Sequence, residues 1–149
     1  MSIQTKTSYD TDYLLWIDQT IAALKARQVD KIDWEHLIEE VESLGKSEKR
    51  ELESRLTTLL EYLLKRCYTD FQQDFRGWNS AITREQRNLK KLLAESPSLK
   101  RFWQDILNQC YQEALGSLRQ DLDYQRFNFP DRSPFPQDIE ELLHGIFWI

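Results

Sequence analysis

The chain has 149 residues and a formal net charge of −5, which suits one domain with one core and gives no global pull toward nucleic acid or anionic lipid. Four glycines and four prolines are too few for a turn-rich β fold, while five tryptophans, six tyrosines and seven phenylalanines supply large core side chains. The longest apolar run, Tyr13 to Ile17, falls far short of the ~20 residues that cross a membrane.

The start, MSIQTKTSYD, lacks the apolar stretch of a secretory signal, and no C-x-x-C or zinc-ligand spacing occurs. Cys67 and Cys110 fall on apolar helix faces, as reduced core thiols would. These features predict a single cytoplasmic all-α domain over residues 1–149, a bundle of five or six helices.

In chain order, Asp10 is the expected cap of a helix from about Thr11 to Ala26. Leu14, Ile17, Ile21 and Leu24 form its apolar stripe. Leu15 and Trp16 lie off that stripe and widen the apolar arc toward a second contact.

A second helix follows a cap at Asp33, with Trp34, Leu37, Ile38, Val41 and Leu44 on one arc. An apolar gap runs from Gly45 to Glu51, and a new stripe then runs from Leu52 through Leu56, Leu59, Leu60, Leu63 and Leu64 to Cys67. On an unbroken helix the second stripe is rotated by roughly 65° from the first. That slip predicts a break at Gly45, with Ser47 as the next cap.

A fourth helix is expected over about Trp78 to Ala94, with Trp78, Ile82, Leu89, Leu92 and Leu93 on its inner face. Ser96-Pro97 stops it and starts a fifth, about Pro97 to Leu122. The segment DYQRFNFPDRSPFP holds three of the four prolines and reads as an extended loop laid over the bundle. A short helix, about Gln137 to Gly145, precedes the apolar end IFWI, which needs a docking surface.

Eight acids and His36 crowd the stretch from Asp33 to Leu56. Di-metal bundles use carboxylates and Glu-x-x-His pairs that project inward. Asp33/His36 and Glu141/His144 have that i, i+3 spacing. However, His36, Glu35 and Glu39 point away from the apolar arc, Glu40 alone lies near its edge, and the second pair sits on a short terminal helix. The acids therefore read as a solvated face, with no metal or cofactor expected. No G-x-S-x-G elbow and no Gly-rich phosphate loop is present, and no catalytic residue is assigned.

Two charge features stand out. Arg84, Arg87, Lys90 and Lys91 lie opposite the apolar stripe of their helix and form an exposed basic strip, a possible phosphate contact. Glu85 falls inside that stripe, between Ile82 and Leu89, and Glu53 sits at the edge of the Leu52–Leu64 stripe. A buried carboxylate needs a partner, and Arg55 or Arg66 is in position to reach one.

The acidic run into Leu44-Gly45, the Ser54–Leu60 segment, Trp78 and Ser96-Pro97-Ser98-Leu99 resemble the bacterial, mainly cyanobacterial, family called domain of unknown function 29. The resemblance covers nearly the whole chain. It implies a small, mostly helical cytoplasmic protein and carries over no activity and no catalytic residue.

The sequence thus favours a non-enzymatic interaction module that binds a protein partner or a second copy. Its expected surface is Leu15, Trp16, Phe147 and Trp148. The alternative is nucleic-acid binding through the basic strip, with an enzyme third.

Overall fold

The computed structural model describes residues 8–148. Six α-helices occur among them, and no strand. They are α1 (Ser8–Thr11), α2 (Tyr13–Lys25), α3 (Trp34–Tyr68), α4 (Gln72–Glu95), α5 (Trp103–Gln120) and α6 (Ile139–His144). Short 3₁₀ segments fill Val29–Lys31, Pro97–Phe102 and Leu122–Tyr124. The chain divides into two compact units, Met1–Lys46 and Ser47–Ile149, and α3 belongs to both.

The break expected at Gly45 is absent: α3 runs unbroken for 35 residues. Local chemistry explains this. One helical glycine costs about 1 kcal/mol relative to alanine. The residues after it, Lys46, Glu48, Lys49, Arg50 and Glu51, include several straight-chain helix formers, and Glu51 and Arg55 stand one turn apart with a 3.8 Å ion pair. The phase slip is real but needs no break, because only the second stripe packs into the C-terminal core.

In the N-terminal unit, the first predicted helix is divided. Asp10 lies inside α1, and Asp12 caps α2, its carboxylate accepting from the Leu15 amide at 3.1 Å. Arg27 closes α2 in the left-handed region at φ 58°, and the Gln28 amide reaches back to the Ala23 carbonyl at 2.9 Å. Asp33 begins α3 as expected, accepting from the His36 amide at 3.4 Å.

The C-terminal unit is a helical bundle with one dense core. Leu52, Leu56, Leu59, Leu60, Leu63 and Leu64 of α3 are fully buried, with Ile82 and Leu89 of α4 and Trp103, Tyr111 and Leu115 of α5. α4 begins six residues earlier than the pattern suggested. The stretch after Ser96 opens as a 3₁₀ segment before α5 starts at Trp103.

The Pro-rich segment lies against α5 as an extended cover. Phe129 and Phe135 are buried in the core. Tyr111 donates to the Pro130 carbonyl at 2.5 Å and Trp103 Nε1 to the Gln137 carbonyl at 2.8 Å. Arg119 donates to the Phe129 carbonyl at 3.1 Å and pairs with Asp131 at 2.6 Å.

A Cβ at Gly45 would meet nothing within 4 Å, and its φ is not positive. Gly45→Ala should therefore stabilise the chain by up to about 1 kcal/mol, read as a raised thermal midpoint with unchanged helicity. A lowered midpoint would contradict a continuous α3.

Candidate functional site

The N-terminal unit orients α2 against expectation. The face it buries carries Trp16, Thr20 and Ala23. Trp16 is only 5% exposed, and the Thr20 hydroxyl is satisfied by the Trp16 carbonyl at 2.7 Å. The apolar stripe predicted for the core faces outward: Leu14, Ile21 and Leu24 are exposed. The same holds for the first half of α3, where Trp34, Ile38, Val41 and Leu44 are exposed, Leu44 at 68%.

These two stripes flank a groove of about 300 Å³. Ile17, Ile21 and Leu24 form one wall, Leu37, Val41 and Leu44 the other, with Trp16 and Thr20 between them. The lining is almost wholly apolar. Its one acid, Glu40, has both carboxylate oxygens engaged: Tyr9 donates at 2.7 Å and Tyr13 at 2.6 Å. The Tyr13 bond, then the Tyr9 bond, holds the Glu40 carboxyl below its usual range. The same contact pushes Tyr9 up to about 12 and raises Tyr13.

Behind the groove lies a small aromatic cluster. The Tyr9 ring stacks on His36, centroids 3.9 Å apart and 18° between planes, and meets Trp16 edge-on at 4.9 Å. His36, expected to point to water from its position opposite the apolar arc, is only partly exposed and lies half-buried under Tyr9. Its Nδ1 lies 2.5 Å from Asp33 Oδ2. That hydrogen bond raises His36 above its ordinary value against the opposing effect of burial. Burial also works against the ionised Asp33, but the bonds from His36 outweigh it and lower its pKa.

The expected interaction residues divide. Trp16 is a core residue of its unit, so its assignment to the surface is corrected. Leu15 is exposed, but it points to the side of α2 away from Ile17 and outside the groove. Phe147 and Trp148 are half-buried against the C-terminal core. The Phe147 ring lies 5.9 Å from Phe135, its carbonyl accepts from Cys67 Sγ at 3.4 Å, and Trp148 takes the Arg66 guanidinium at 5.2 Å. The terminal segment thus docks on its own unit. Ile146 stays exposed, and Ile149 lies outside the described residues.

Glu85 is 7% exposed inside α4, with Arg55 Nη1 at 3.6 Å and Arg84 Nε at 3.9 Å. Both contacts are ion pairs longer than a hydrogen bond. Arg66 is not brought to Glu85. It donates to Asn79 at 2.7 Å and lies over the Phe75 ring. Glu53 is half-buried, and its carbonyl accepts from Cys110 Sγ at 3.5 Å.

The neighbouring Gln86 escaped the sequence reading. It is buried, and its Nε2 donates to the Leu142 and Gly145 carbonyls at 3.0 and 3.1 Å, fastening the end of α6. The signal was present, since Gln86 stands one turn from both Ile82 and Leu89.

Arg84, Arg87, Lys90 and Lys91 are all exposed on α4. They are interrupted by acids: Lys91 shares a hollow with Glu51 and Glu95, and Lys90 one with Glu140. Among the described residues no group of three His, Cys, Asp or Glu side chains is placed to hold a metal, and no helix is long and apolar enough to cross a membrane.

The fold and this surface define a class: an all-α protein whose N-terminal helix pair presents an apolar groove. Residues 8–148 match the model of the family described as Domain of unknown function DUF29, and the chain belongs to that family. Among curated proteins and among solved structures, none matches the chain.

The Asp33–His36 pair has a defined pH signature. A raised His36 stabilises the fold fully below its unfolded value near 6.5 and ceases to do so as pH rises through the folded value. A lowered Asp33 stabilises above its unfolded value near 3.8 and is lost as pH falls through the folded one. The stability advantage of the native chain over His36→Gln should therefore be greatest between about pH 4 and 6.5 and shrink toward pH 8. Thermal melts of both chains across that range check it, and a pH-independent difference would exclude the pair as its source.

Proposed function

We propose that the protein is a non-enzymatic interaction module that binds another protein through the α2/α3 groove. One observation carries this reading: two apolar helix stripes lie side by side and exposed, with the single acid between them already occupied by two tyrosines. Contiguous exposed apolar surface of this kind marks interaction sites. A helix laid into such a groove reads it through residues at i, i+3, i+4 and i+7. Two free cysteines, Cys67 and Cys110, both with thiols raised by burial, suit a reducing bacterial cytoplasm.

The rival reading, phosphate contact through Arg84, Arg87, Lys90 and Lys91, has exposure in its favour but shares its surface with Glu51, Glu95 and Glu140. The two readings separate in one experiment. Tagged native chain, Val41→Glu and Arg87→Glu are used as baits in extract of the cells that make the protein, at low and high salt. The module reading expects captured proteins that persist at high salt, are lost with Val41→Glu and are kept with Arg87→Glu. Capture that depends on Arg87, includes nucleic acid and collapses with salt would overturn it.

A further inference from the structure

We propose that the occupant of the α2/α3 groove is a second copy of this chain, so that two N-terminal units join as a four-helix bundle. The inference rests on the interaction-module reading and names its partner.

The spacing of the exposed residues comes first. Leu14, Ile17, Ile21 and Leu24 follow steps of three, four and three. On α3 the residues Trp34, Leu37, Val41 and Leu44 repeat the same steps. This is the a/d pattern of helices that pack along a shallow left-handed seam. A helix pair with both seams turned outward on one side needs further helices to complete the layer, and four-helix bundles meet that need with helices of this kind.

The exposed area also suits a second copy. Four side chains of the groove, Ile21, Leu24, Val41 and Leu44, are between 38 and 68% exposed, and Leu14, Trp34 and Ile38 beside it between 47 and 67%. At roughly 100 Å² each they offer on the order of 700 Å², close to the ~800 Å² that each partner contributes to a standard interface. The unit also needs this cover. Among its described residues the buried apolar side chains are Trp16, Ala23 and Ile32, a small core, and units with small cores commonly gain from association.

Charge decides between a second copy and a basic peptide. Residues 1–46 hold nine acids against five bases, which would suit a basic partner if the acids lined the groove. They do not. Glu40 is taken by Tyr9 and Tyr13, and Glu35, Glu39 and Glu42 lie on the far side of α3 from Leu37 and Leu44. The rim of α2 carries one charge of each sign, Asp18 and Lys25, two turns apart on one line. A two-fold axis near Ile21 sets Asp18 of each copy against Lys25 of the other, the self-complementarity that an isologous interface requires.

Sedimentation of the full chain from roughly 1 to 100 μM tests this, since interfaces of this area reach micromolar affinity or tighter. The native chain should form a dimer. Val41→Glu should weaken it at least tenfold with helicity retained by circular dichroism. Asp18→Lys and Lys25→Asp lie on the surface and keep the test open if Val41→Glu fails to fold. Each should weaken the dimer, and the double swap should restore it.

A native chain that stays monomeric throughout, or a dimer indifferent to these changes, would overturn the proposal. If the chain is monomeric while capture from extract still depends on Val41, the interaction module stands and its partner is a different protein. If capture is independent of Val41 as well, both readings fall.

Discussion

Helix α3 carries two apolar stripes whose centres are out of phase by roughly 65°, so on one continuous helix they do not share a single facing direction. The second stripe, Leu52 to Leu64, is fully buried in the dense core of the C-terminal unit. The first, Trp34 to Leu44, is left outward beside the equally outward stripe of α2. Everything assigned to the groove follows from that division. The helix itself persists across the boundary because charged straight-chain residues sustain it where no apolar residue is available.

Polar contacts fix the arrangement in both units. In the N-terminal one, Tyr9 and Tyr13 converge on Glu40, and Asp33 clamps His36 beneath the Tyr9 ring. These bonds hold α1 and α2 against α3 in a register that buries Trp16 and Thr20 instead of Ile17 and Ile21. In the C-terminal one, Gln86 ties the end of α6 to α4, and the Glu85–Arg55 pair bridges α4 and α3. Arg55 remains about a third exposed, so solvent screening moderates that pair's contribution. Gly145 belongs to the same fastening: a Cβ there would lie 2.8 Å from the Glu141 carbonyl and against the Phe147 ring.

Periodicity made the all-helical class, the inner faces of α4 and α5 and the inward position of Glu85 legible. It reports which residues share a face, and only a partner decides whether that face is core or surface. That is why the pattern alone places the α2 stripe inward and Trp16 outward. The actual register depends on Tyr9 and Tyr13 reaching Glu40, contacts between residues 27 and 31 positions apart that no local pattern encodes. A phase slip requires a break at Gly45 only where both stripes must enter one core. The docking of Phe147 and Trp148 depends on Phe135, beyond the α6 helix, and on Arg66, far away in sequence.

The central claim is that the Val41–Leu44 stripe is surface in the single chain. It is tested most directly by comparing Leu44→Ala with Trp16→Ala in denaturant unfolding, below the concentration at which the chain associates. Both residues lie in the N-terminal unit, one 68% and the other 5% exposed. The outward stripe predicts a cost within about 0.5 kcal/mol for Leu44→Ala, against roughly 3–5 kcal/mol or loss of the unit's transition for Trp16→Ala. A cost of about 2 kcal/mol or more for Leu44→Ala, the range of a core leucine, would contradict it.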